Sequence, residues 1–137
     1  MKINEIDPDY ETVKIDQIGV IDSLTGAVVF RDETVEFTMS GFSSEVARYI
    51  SNFLQGKREE PPTIYKLVEQ ICEENEMHLV KVKIYESGEV LRANLYFTGK
   101  KDMVLRNYRA SDAMALGTLY NIPILVRKNL LKEHMEA

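Results

Sequence analysis

The chain has 137 residues, 45% hydrophobic and 28% charged, the size and balance of one domain, residues 1–137, with room for one core. No apolar run approaches the roughly 18 residues of a membrane-spanning helix, and the acidic start MKINEIDPDYETVKID is unlike a signal peptide, so a cytoplasmic protein with no membrane partner is expected. The single cysteine, Cys72, excludes an intramolecular disulfide, the two histidines, His78 and His134, leave metal chemistry to carboxylates, and a net charge of −5 argues against a nonspecific nucleic-acid coat.

In chain order, the β-branched run Thr12–Ile21 reads as a strand with an irregularity at Gly19. After the turn-rich Asp22–Gly26, the stretches Ala27–Arg31 and Thr34–Met39 read as two more strands, with Val35, Phe37 and Met39 alternating on one face. Beyond Gly41, a serine N-cap candidate precedes Val46, Ala47, Tyr49, Ile50, Phe53 and Leu54 at helical spacing. KREEPPT (57–63) ends in Thr63, a second N-cap candidate, and Ile64, Leu67, Val68, Ile71 and Cys72 continue as a second helix to about Asn75. Glu69, Glu73, Glu74 and Glu76 on that helix read as a solvated face.

Leu79–Tyr85 and Val90–Phe97, joined through Ser87-Gly88, predict a hairpin. Met103–Asn107 is a further strand, Ala110-Ser111-Asp112 opens a helix to about Tyr120, Ile122–Val126 is an interior strand, and Asn129–Met135 is a final helix. The fold class is α+β, a two-layer arrangement of a mixed sheet with helices.

The two halves echo each other as strand, strand, strand, helix. A single offset of 67 residues pairs Phe30 with Phe97, Ser44 with Ser111 and Glu45 with Asp112. Internal duplication of a βββα unit is one reading, and it predicts two helix starts related by an internal rotation. Serine followed by an acid is also common at helix starts for capping and dipole reasons alone, which is the other reading.

Charge is unevenly spread. Residues 1–98 hold 10 Lys+Arg against 18 Asp+Glu, and residues 99–137 hold 7 against 4. The densest polar cluster, Arg106-Asn107-Tyr108-Arg109-Ala110-Ser111-Asp112, lies in the basic third where a strand runs into a helix N-terminus, a place that favours an anion. Arg109 suits a phosphate there. Asp112 in the first turn either caps the helix or fixes the Arg109 guanidinium. His78 and His134 read as surface histidines and Cys72 as a small core residue.

The run NYRASDAMALGTLYNIPILV resembles the signature of the bifunctional nuclease (BFN) domain family, in which R-P-S-D-A-[IL]-A-L-A precedes an apolar P-I-x-V strand. The resemblance extends over roughly residues 34–131. It implies a compact α+β domain, frequently oligomeric, of a kind described in some members as degrading both DNA and RNA. Arg109, Ser111, Asp112 and Ala113 match the signature, and Glu45 matches a glutamate near the start of the family's first helix. Ala110 replaces the signature proline, Gly41 lies one residue further from Glu45 than usual, and the family's T-H-D-L-L run is here Thr63-Ile64-Tyr65-Lys66-Leu67, without its histidine and aspartate.

Two functional readings follow. In the first, the chain is a DNA and RNA nuclease with Glu45, Arg109 and Asp112 as catalytic residues, Glu45 and Asp112 as ligands of a divalent cation such as Mg or Mn, and Arg106 and Ser111 contacting substrate. In the second, it is a non-catalytic oligomeric interaction or anion-binding module that has lost nuclease residues. A homo-oligomer, by default a dimer, is expected from the family tendency and from the many apolar and aromatic side chains, including Tyr49, Phe53, Tyr96, Phe97 and Tyr120.

Overall fold

Among the described residues, alternating β-branched and aromatic residues bounded by turn residues make eight strands, and three stretches with helical spacing make three helices. The computed structural model describes residues 6–57 and 63–133. The strands are β1 (Tyr10–Val20), β2 (Thr25–Arg31), β3 (Val35–Ser43), β4 (His78–Ser87), β5 (Val90–Thr98), β6 (Met103–Arg109), β7 (Ile124–Arg127) and β8 (Lys132–Glu133). The helices are α1 (Ser44–Leu54), α2 (Ile64–Glu74) and α3 (Ala110–Tyr120).

All eight strands form one mixed sheet in the order β6-β5-β4-β7-β1-β2-β3-β8. β4 and β7 run parallel and the other neighbours antiparallel. α1 packs over β1 and β2, α3 over β4 and β5, and the two helices touch, so they share one face of the sheet. Between the layers lie Val28, Phe30, Ile50, Val82, Ile84 and Met114, all fully buried. α3 is buried almost all round, which its small and apolar run A-M-A-L-G allows. A side chain at Gly117 would meet Ile124 at 3.1 Å, so the missing Cβ lets α3 settle on the sheet. None of the described helices is long and apolar enough to cross a membrane.

The meanders β1-β2-β3 and β4-β5-β6 occupy opposite ends of the sheet in inverted order, and β1 is antiparallel to β4 through β7. This is the pattern that a two-fold axis normal to the sheet generates. The helices that follow begin at Ser44 and Ala110, 66 residues apart (110 − 44) rather than 67, so Ser44 and Ser111 do not hold equivalent helix positions.

Several expectations are corrected. The irregularity in β1 falls at Asp16, where pairing with β2 shifts register, because β1 pairs with β7 up to Val13 and with β2 beyond it and bends between them. Glu69 is not solvated: it is 4% exposed and accepts from Lys66 Nζ at 2.7 Å. Glu73, Glu74 and Glu76 are exposed as expected, but so are Ile64, Leu67 and Ile71 of α2, whose buried side chains are Tyr65, Glu69 and Cys72. In place of a helix from Asn129, Lys128–Leu130 form a 3-10 turn and Lys132–Glu133 pair with β3, an edge contact that overrides helical spacing. His134 and Met135 lie outside the described residues. Of the aromatic side chains some of which are expected between subunits, Phe53, Tyr96 and Phe97 are buried within the chain, while Tyr49 and Tyr120 are half-buried.

On the helix-free face, Lys83 is buried with its ammonium 4.8 Å from the Tyr10 ring centroid and 5.1 Å from that of Tyr96. Its charge is met by Asp7 at 3.0 Å, as a buried ammonium requires.

Candidate functional site

Three helix starts converge on one cavity of about 760 Å³. α1 is capped by Ser43, whose Oγ accepts from the Glu45 N–H, and this places Glu45 in the first turn at the rim. α2 is capped by Thr63, whose Oγ1 accepts from the Lys66 N–H, and places Tyr65 two residues inside. α3 follows β6 directly, so Arg109 is its N-cap residue and Asp112 lies in its first turn. Glu45, Arg109 and Asp112, separated by up to 67 residues in sequence, therefore line the same cavity. Its inner wall is apolar, with Val46, Val68, Leu95, Phe97, Leu105 and Leu116.

Arg109 grips Asp112 with both ends of its fork. Nε donates to Oδ2 at 2.6 Å and Nη2 donates to Oδ1 at 2.8 Å. The Tyr65 hydroxyl donates to Oδ1 at 2.7 Å. Burial pushes the Asp112 carboxyl up, but the hydrogen bonds from Arg109 and Tyr65 outweigh it and hold the group below the usual aspartate range. Burial, and then donation to Asp112, raises the Tyr65 phenol well above the ordinary tyrosine value, so it stays protonated. The same aspartate raises Arg109, which remains a cation. Asp112 thus positions the guanidinium, the second of the two roles its spacing allowed.

A lowered aspartate pKa contributes stability above the unfolded value, about 3.9, that is lost as pH falls through the folded one. Wild type is therefore expected to lose an increment of melting temperature below about pH 4 that Asp112→Asn never has. Melting curves of the two proteins from pH 7 to pH 2.5 check this. A constant difference across the range would show that the carboxylate is not held as described.

Arg106 and Ser111 are not in this cavity. A bulge in β6 sets Arg106 and Asn107 opposite Asn94 alone, with Asn107 at φ 68°, and the Tyr85 hydroxyl and the Asn94 side chain bond to it. The bulge reverses the alternation, so Tyr108 joins the cavity wall and Arg106 stays exposed on the strand. Ser111 is buried and lines a neighbouring cavity. Sequence reasoning missed Tyr65, Tyr49 and Tyr108. The N-cap at Thr63 places Tyr65 in a first turn, but no local signal ties it to Asp112.

The sequence model of the bifunctional nuclease domain family matches residues 41–137. The chain belongs to the bifunctional nuclease domain family. A search of curated proteins finds no match for it. Of the three positions where the run 63–67 departs from T-H-D-L-L, Ile64 and Tyr65 line the cavity, so an apolar and a phenolic side chain stand where the resemblance implies an imidazole and a carboxylate.

This donor set does not fit the divalent cation expected on Glu45 and Asp112. Both Asp112 oxygens are engaged, and a metal ion there would have to displace a guanidinium held at 2.6 Å. Among the described residues, no group of three His, Cys, Asp or Glu side chains is placed to hold a metal ion.

Proposed function

We propose that the cavity mouth binds the phosphodiester backbone of DNA and RNA and that the chain, acting as one domain, cleaves it without a divalent metal. Three helix N-termini directed at one rim favour an anion there, and Arg109 donates to the non-bridging phosphate oxygens where charge grows in the transition state. Glu45, exposed at the rim, takes the proton of a water molecule as its oxygen bonds to phosphorus. The bond from phosphorus to the leaving oxygen breaks, and that oxygen takes a proton from solvent. Asp112 and Tyr65 hold Arg109 in place. The observation that carries this reading is the convergence of Glu45, Arg109 and Asp112 on one cavity.

The test is cleavage of end-labelled single-stranded DNA and RNA by highly purified protein, with and without EDTA. Cleavage that survives chelation is expected. Cleavage abolished by EDTA and restored by Mg or Mn would show that Asp112 releases Arg109 to take a metal. The engagement of both Asp112 oxygens also favours a second reading, a phosphate-binding module without turnover. It predicts no cleavage and salt-sensitive binding of oligonucleotides that Arg109→Ala weakens.

A homodimer is also proposed, now through α2. Ile64, Leu67 and Ile71 recur at i, i+3 and i+7 and are exposed, an apolar stripe that nothing in the described chain covers. Light scattering at micromolar concentration is expected to give a mass above the 15.8 kDa of one chain, and Leu67→Lys to return it to that value. A wild-type mass of one chain would remove the idea.

A further inference from the structure

A second cavity, of about 490 Å³, adjoins the first, and Ser43 and Arg109 line both. Arg92, paired directly opposite Arg109 in the β5–β6 ladder, lines the second cavity too. Arg109 is neutralised by Asp112, whereas Arg92 makes no ion pair among the described residues. Ser111 lines the same cavity at 7% exposure, and its hydroxyl makes no hydrogen bond among the described residues, which leaves a donor for an anion in the cavity. The start of α3 has no side-chain cap, so its first-turn N–H groups add unspent donors there. Glu89, on the exposed hairpin turn, is the acid among the residues that line this cavity.

We propose that this second cavity is a phosphate seat, formed by Arg92, Ser111 and the start of α3, for the nucleotide adjoining the cleaved linkage. The inference rests on the nuclease reading and sharpens its substrate. A single strand crosses Arg109, with one base in the apolar cavity and the neighbouring phosphate on Arg92. A base held in a pocket with an apolar wall cannot remain paired, so the substrate is single-stranded.

Binding of three thymidine dinucleotides tests this: TpT, with only the central phosphate, and pTpT and TpTp, with one more at either end. All are measured in the Glu45→Gln background so that the linkage stays intact. One of the two longer ligands is expected to bind about 10-fold tighter than TpT, the worth of one charge-assisted contact. Arg92→Ala is expected to abolish that gain and leave TpT affinity unchanged, and Arg92→Lys to restore part of it. Ser111→Ala is expected to give a smaller loss of the same gain. If TpT binds but neither terminal phosphate adds affinity, or Arg92→Ala weakens all three ligands equally, the second seat is wrong while the first stands. If none of the three binds, the nuclease reading fails and the seat with it.

Discussion

Replacing Glu45 by glutamine is expected to slow cleavage of DNA and RNA by about 100-fold or more, the usual loss when a general base is removed. The substitution keeps size and shape, the side chain is exposed, and the cap on α1 is made by the Glu45 backbone N–H rather than its carboxylate. The melting temperature should therefore stay at the wild-type value while the rate falls. A fall this large in a folded protein assigns the turnover to this chain, because a trace contaminant would not respond. Arg109→Ala should also lower the rate, with weaker and less salt-dependent binding, since on the proposed reading it removes the cation that meets the phosphate. Cleavage undiminished in Glu45→Gln would place the chemistry elsewhere.

The second large effect is on stability. Phe30 is fully buried on β2, stacked on Phe37 with ring centroids 6.3 Å apart. Phe30→Ala is expected to cost about 3–5 kcal/mol, from lost transfer energy and the void left under the helix layer. Against a typical total of about 5–15 kcal/mol, that is a large share. Urea unfolding should show a lower midpoint with an unchanged slope, in one transition if the chain folds as one domain. A loss under 1 kcal/mol would mean that the core closes over the gap.

The elements readable from sequence are those set by local chemistry. The β4–β5 hairpin shows clean alternation around Ser87-Gly88, Thr63 caps α2 as its position demands, and Ala110–Tyr120 starts and stops at its own signals. What stayed hidden depends on partners far away in sequence. Lys132 and Glu133 become a strand because β3 offers them an edge. The β6 bulge that brings Tyr108 rather than Asn107 to the cavity follows from pairing with β5 and leaves no trace in composition. Glu45, Arg109 and Asp112 were readable as residue types, and the resemblance named them together. That Asp112 is held by Arg109 and Tyr65 is visible only once α2 is laid against α3.

The strand order has a consequence for synthesis on the ribosome. β1 and β4 do not pair with each other, and β7 alone stitches the two meanders together. β7, at Ile124–Arg127, is made after every strand of both meanders. A nascent chain that has emerged only as far as α3 holds two half-sheets, each with an open, hydrogen-bond-hungry edge at what will become the middle. Closure waits for β7 and joins segments more than a hundred positions apart, a slow, high-contact-order step. The vulnerable period of this protein is therefore the interval before β7 is in place, when a neighbouring chain's strand can occupy the slot meant for its own.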